Sequence, residues 1–338
     1  VTPALVLLVG AVAGGVVYAL ARAADRIVRP VPKMPARSVH DTSLEYQEVS
    51  IESGDHSLAA WLLCPASSGH ADTASGAEGE PSSLEWATAR GSTRAPLFVL
   101  AHGWGASHGT VLQLAEPLAR AGHEVLLFDL RGHGANRPAR HVTVRDLRDD
   151  VMAVLRYASA RAPRRPVVLV GHSFGGAASV LAAAEGARVS GLVLIATPAD
   201  VVRITAEFLS DQGVPGTLAT TVLRPFWWWR LGGTFRRHSP VRRVRELDVP
   251  LLLIQPEHDH RVRRHHAEML SAAAGVPYRL VKGREHTDVL GAPETVRLVL
   301  EFAERLAAEA AAATPSDRSA ARGAPTRGIP GSARSPGR

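Results

Sequence analysis

Cysteine occurs once in the 338 residues, as Cys64. That excludes an intramolecular disulfide, a cysteine-built zinc site and a dithiol redox motif. Charge is missing from the first 21 residues altogether. As a helix this stretch would run about 32 Å at 1.5 Å per residue, against about 30 Å for a bilayer core. A transmembrane helix over residues 1–21 is therefore expected. Arg22, Arg26, Arg29, Lys33 and Arg37 all follow it, and no Lys or Arg precedes it. By the positive-inside rule, a single-pass chain of this kind keeps its C-terminal body in the cytoplasm. The rival reading is a signal peptide cut after Ala19-Leu20-Ala21 and a secreted body. Such a peptide carries a positive n-region, which this stretch lacks.

Acidic residues are scarcer than basic ones, and the formal net charge is +7. The excess is confined to two flanks. Residues 22–37 and 314–338 each carry a net +4, leaving −1 for everything between. The body is near neutral, so the basic balance does not point to nucleic acid.

What is present is a long alternating pattern. Pro30, Pro32 and Pro35 make residues 22–43 a juxtamembrane linker. Strands at Leu44–Ile51 and Ser57–Cys64 are joined by Ser53-Gly54-Asp55. Residues 65–96, rich in Ser, Gly, Ala and Glu, read as a flexible, solvated loop. Short aliphatic runs then recur at Leu97–Ala101, Glu124–Asp129, Val167–Val170, Gly191–Ala196, Pro250–Gln255 and Tyr278–Lys282. Helical segments fall between most of them, near Thr110–Ala121, Val144–Ala160, Phe174–Glu185 and His265–Ala274, and a last one near Pro293–Ala313. Continuous apolar strands alternating with helices specify an α/β fold: a mostly parallel sheet covered on both faces. With the two early strands at its antiparallel edge, the sheet has eight strands. Residues 200–246 interrupt the alternation as a helical cap, dividing the core into 44–199 and 247–313. The Arg/Pro/Gly/Ser tail 314–338 reads as disordered.

One motif carries chemistry. Gly171-His172-Ser173-Phe174-Gly175 fits G-x-S-x-G, entered by a strand and left by a helix of small residues. A serine there sits on a turn too tight for large neighbours, at a helix N-terminus whose partial positive charge favours an oxyanion. An activated serine needs a base, and the base an orienting acid, each beyond a later strand. The loop after Leu251–Ile254 offers Asp259, with Glu257 as the rival acid. The loop after Tyr278–Lys282 offers His286 as the base. His102-Gly103-Trp104-Gly105 follows the strand at Leu97–Ala101. It is expected to supply the Trp104 backbone N–H, which with that of Phe174 forms an oxyanion hole. His102 itself reads as structural.

These stretches, with Phe128-Asp129-Leu130-Arg131-Gly132-His133-Gly134, resemble the α/β-hydrolase superfamily. The likeness is to its esterase, lysophospholipase-like and serine aminopeptidase-like branch, over about Leu44–Ala313. The resemblance implies a bracing role for Asp129, Arg131 and His133. The chain differs from the family pattern in Gln255-Pro256, where His-Gly is usual, and in Glu285, where Gly is usual before the base. The expected reaction is ester hydrolysis through an acyl-serine, with no metal or organic cofactor and with a small or lipid-like acyl substrate. Thioester or amide cleavage on the same machinery is the neighbouring alternative, and a catalytically silent binding or sensing protein the alternative from another class. His258, His260, His265 and His266 read as a basic loop and helix start rather than a metal site. Three readings stay open for Phe226, Trp227, Trp228 and Trp229: a candidate substrate pocket, packing inside the cap, and docking at the bilayer interface.

Overall fold

The structure is a computed structural model that describes residues 3–31, 34–65, 95–231 and 235–312. Most of the expected 65–96 loop and the whole 314–338 tail lie outside those residues.

A sheet of eight strands forms the centre, in the order β1-β2-β4-β3-β5-β6-β7-β8. These are β1 (Tyr46–Ser53), β2 (His56–Leu63), β3 (Leu97–Ala101), β4 (Glu124–Phe128), β5 (Val167–His172), β6 (Gly191–Ile195), β7 (Leu251–Pro256) and β8 (Tyr278–Val281). β2 runs antiparallel to both of its neighbours, β1 and β4, and every other pairing is parallel. Alternate residues leave a strand on opposite faces. Accordingly Phe98 and Leu100 join one core layer, while Leu97, Val99 and Ala101 join the other. The first layer is closed by helices α2 (His108–Arg120) and α9 (Pro293–Ala312), through Leu112, Leu118, Val299 and Phe302. The second is closed by α3 (Val144–Arg161), α4 (Phe174–Ala184) and α8 (Arg264–Ala274), through Leu147, Val154, Val180 and Leu270.

Between β6 and β7 the chain leaves the sheet for α5 (Val201–Asp211), α6 (Gly216–Arg230) and the short α7 (Pro240–Arg243). Asp200 caps α5 by accepting the Arg203 N–H at 2.9 Å. Gly216 opens α6 hard against α5, where a Cβ would collide with the Ala206 carbonyl. The α5 side chain Glu207 ties this insert to α8. His265 Nε2 lies 2.9 Å from one carboxylate oxygen and His266 Nε2 3.2 Å from the other.

The charge-free stretch begins α1 (Pro3–Ile27), which runs on past it for the six residues from Arg22 to Ile27. Residues 3–19 are exposed along their length, and the helix is long and apolar enough to cross a membrane. From Leu20 onward it packs on the body, with Ala24 fully buried against Leu223 and Trp227 of α6. The chain then crosses the loop region. Val28 accepts the Val142 N–H at 2.8 Å, and a Cβ on Gly132 would meet the Pro30 ring at 2.6 Å.

Candidate active site

β5 ends at His172, and α4 begins at Phe174. Ser173 between them has φ 55° and ψ −125°, a positive φ that costs free energy outside glycine. The strain is held from both sides. The Ser173 N–H donates to Ile195 O at 2.9 Å, and the Ser173 carbonyl accepts from Gly176 N at 2.9 Å. A side chain at Gly171 would strike the Gly176 backbone, and one at Gly175 would strike the carbonyls of Ala101 and His102. Close approach, rather than turn conformation, thus demands glycine at these positions. The Ser173 hydroxyl makes no cap hydrogen bond to α4, so it is not consumed by the helix it precedes. The Phe174 N–H, in the first turn, has no intrahelical acceptor to satisfy it.

The loop after β3 comes down onto the serine. A Cβ on Gly103 would lie 2.8 Å from Ser173 Cβ and 3.3 Å from its Oγ. Trp104 follows, its half-buried ring edge-on to His133 at 5.2 Å and 6.0 Å from the Phe174 ring. The two residues named for the oxyanion hole therefore lie side by side beside Ser173.

The loops after β7 and β8 bring Asp259 to His286. His286 Nδ1 and Asp259 Oδ2 are 2.8 Å apart, with the carboxylate side chain fully buried. The other oxygen, Oδ1, accepts the N–H groups of Arg261 at 2.9 Å and Val262 at 2.8 Å. With the carboxylate accepting a hydrogen bond from Nδ1–H, Nε2 is left as the unprotonated nitrogen. Glu257, the rival acid, is more exposed and turns to the Gly283 N–H at 2.9 Å. Gln255, which stands where the family pattern has His, is buried and donates to Val262 O at 2.9 Å. It closes the same loop that orients Asp259.

His172 was not singled out by the sequence reading, yet it joins the candidate nucleophile to the candidate base. Its Nε2 donates to the His286 carbonyl at 2.8 Å, and the two rings are 4.7 Å apart. Burial, and after it the neighbouring His286, push its pKa down to about 3. It is therefore a neutral hydrogen-bond donor. Its place in the motif, one residue before the serine, is the only signal the sequence offered.

The stretch after β4 braces the site. Asp129 accepts from the His108 N–H at 2.6 Å, the Ala135 N–H at 2.8 Å and the His108 ring at 3.0 Å. Burial alone would raise the Asp129 carboxyl, but the His108 hydrogen bond and the nearby His102 and His108 hold it below its ordinary value. His102 donates from Nδ1 to Gly103 O at 2.8 Å and accepts the Leu130 N–H on Nε2 at 3.0 Å. Burial takes its pKa down to about 4. His133 bonds Arg131 O at 2.8 Å. Arg131 grips Asp150 of α3 with Nε at 2.9 Å, Nη2 at 2.6 Å and its backbone N–H at 2.9 Å. Asp150, fully buried, also accepts from Ser53 at 2.8 Å.

Among the described residues, Glu207, His265 and His266 hold their ligand-type atoms within 4.8 Å of one another. His266 Nδ1 accepts the Ala199 N–H at 3.1 Å, which puts its proton on Nε2, facing Glu207. His266 thus hydrogen-bonds Glu207 at 3.2 Å, while His265 Nε2 lies within ion-pair distance of the same carboxylate. His258 lies apart, its backbone N–H on Arg284 O at 2.8 Å. Trp227 is buried against α1, whereas Trp228 and Trp229 lie on the outer surface of α6 and Phe226 is half-buried.

Residues 92–232 match the family described as serine aminopeptidase, S33. A monoglyceride lipase of Rattus norvegicus is 40% identical over 112 residues, 31% of this chain and 35% of that protein. A pimeloyl-[acyl-carrier protein] methyl ester esterase of Xylella fastidiosa is 38% identical over 163 residues, 45% of this chain and 59% of that protein. The chain thus spans between about a third and three fifths of these curated relatives. Among solved structures, an esterase of Pyrococcus furiosus superposes with a TM-score of 0.60 at 19% identity, covering 82% of this chain and 97% of that one. A proline iminopeptidase of Mycobacterium smegmatis gives 0.55 at 16% identity, covering 78% and 100%.

Proposed function

We propose that this chain, an α/β-hydrolase, cleaves carboxylic esters through an acyl-serine intermediate. The reading rests above all on the Asp259–His286 pair at 2.8 Å, linked by His172 to the strained serine beside it. In the first half-reaction Ser173 Oγ attacks the acyl carbon and gives its proton to His286 Nε2. The tetrahedral oxygen takes up the charge, facing the Trp104 and Phe174 N–H groups. Collapse expels the alcohol, which leaves with the proton from His286. Water then repeats the sequence on the acyl-serine and releases the acid. Asp259 stays ionised and stabilises the transient imidazolium. Its two further backbone hydrogen bonds keep it aligned.

The relatives named for lipase and methyl ester esterase activity support an ester as the substrate. The matched family's description makes a small amide the second reading. In the same proposal residues 200–246 form the cap, and α1 crosses a bilayer with Arg22 and the body on the cytoplasmic side. The test is Ser173→Ala on matched aryl esters and aryl amides. The variant should lose on the order of 10⁴-fold in turnover, because triad members act as a unit. Turnover of amides above esters in the parent would shift the assignment to an amidase, and activity surviving in Ser173→Ala would remove the mechanism.

A further inference from the structure

Helix α6 has two unlike faces. Thr220, Leu223 and Trp227 are buried, whereas Leu218, Val222 and Trp229 are 61%, 41% and 76% exposed. Steps of four and seven residues put these three on one stripe of the helix, with Pro225 inside it and the exposed Trp228 at its border. Phe208 of the adjoining α5 is exposed as well. Bare apolar stripes of this kind mark interaction surfaces.

The buried face explains how the stripe is oriented. Trp227 Nε1 donates to the Ala24 carbonyl at 3.2 Å, and Arg230 ion-pairs with Asp25. Ala24 lies two residues past Arg22, the first charge after the apolar span. At 1.5 Å per residue that is about 3 Å along α1. So α6 is clasped at the level where the span ends. Arg22 and Arg26 on α1, Arg29 after it, Arg224 on α6, and Arg236 and Arg237 after α6 are all exposed. In residues 20–30 and 216–237 the only acid is Asp25, which is engaged by Arg230 and by His141 at 3.5 Å.

We propose that the Leu218–Val222–Trp229 stripe docks into the headgroup region of the bilayer that α1 crosses, with anionic lipid headgroups met by these exposed arginines. The proposal rests on α1 being a membrane span. Tryptophan favours the membrane–water interface, and basic side chains gain from anionic lipid there. An amphipathic helix lying in the interface plane has this division of faces. The anchor thereby becomes part of the cap, and the cap is held at the surface where an ester carried in the leaflet would arrive.

The test uses the full chain in nanodiscs of phosphatidylcholine with a minority of phosphatidylglycerol. Cys64 is buried, so Leu218→Cys, Val222→Cys and Trp229→Cys each offer one reactive thiol for an environment-sensitive fluorophore. Glu301→Cys, at an exposed position of α9, is the reference. Blue-shifted emission at the three cap sites, quenched by nitroxide-bearing lipid and absent at 301, is the expected result. Water-like emission from a chain retained in the discs overturns the docking and leaves the anchor standing. Blue-shifted emission that lipid nitroxides do not quench means that a second protein copy covers the stripe, and overturns it too. A chain that fails to enter the discs overturns anchor and docking together.

Discussion

Asp259 and Glu257 stand two positions apart on one loop, and only Asp259 reaches the His286 ring. Removing the charge of Asp259 without its shape tests that difference. Asp259→Asn should lower turnover on the order of 10⁴-fold, through loss of the productive histidine tautomer. Glu257→Gln should change it little, because its partner is the Gly283 N–H at the loop surface. Steady-state kinetics of both variants, with near-ultraviolet circular dichroism as the check on folding, gives the ranking. Buried His102 and His172, held to about 4 and about 3, set a pH dependence of stability. Their folded pKa values lie below the ordinary 6.5. Between those values and 6.5 the unfolded chain binds protons that the folded one refuses, so stability rises with pH across this window. It falls as acid is added, by about 1.4 kcal/mol per histidine per pH unit. Urea unfolding between pH 4.5 and 6 should show an uptake of roughly two or more protons. A flat profile would mean that these rings are charged in the folded state. At this scale the serine motif and the candidate acid and base were readable because each sits in a fixed relation to a strand end. His172, Asp150 and the loop-closing Gln255 were not, because their partners are 114, 19 and 7 residues away and no local pattern encodes them.

At the scale of elements, strands were easy to read wherever both faces of the sheet are covered. Continuous aliphatic runs such as Leu251–Ile254 have no polar alternation to confuse them. Boundaries moved by one or two residues, as at β5, which extends to His172 because Gly171 and His172 still pair with Leu194 and Ile195 of β6. The C-terminal end of α1 was less legible. Arg22, Asp25 and Arg26 read as the start of a linker, yet the helix continues to Ile27 because Ala23, Ala24 and Ile27 face α6. Nothing local in residues 22–27 announces a partner some two hundred residues later. That contact yields a prediction. Trp227→Phe removes the hydrogen bond to Ala24 and part of the ring volume, and should cost about 1–3 kcal/mol. Trp227→Ala also empties the space between the helices and should cost about 3–5 kcal/mol. Thermal unfolding in a mild detergent would order the two variants. Equal and negligible effects would mean that α1 and the cap do not hold each other.

For the molecule as a whole, an exposed apolar helix stands on a near-neutral α/β body. Full-length protein should sediment with membranes and resist carbonate extraction, the behaviour of a spanning helix. A mature form beginning near Arg22 and released from cells would show a cleaved signal in its place. The central claim, however, is that Ser173 is the nucleophile. Its most direct measurement is reaction of the native chain with a fluorophosphonate, followed by peptide mass spectrometry. The account predicts one adduct, on the peptide bearing Ser173, that forms slowly or not at all in His286→Ala. An adduct on any other serine of the folded protein, or undiminished labelling of Ser173 without His286, would contradict it.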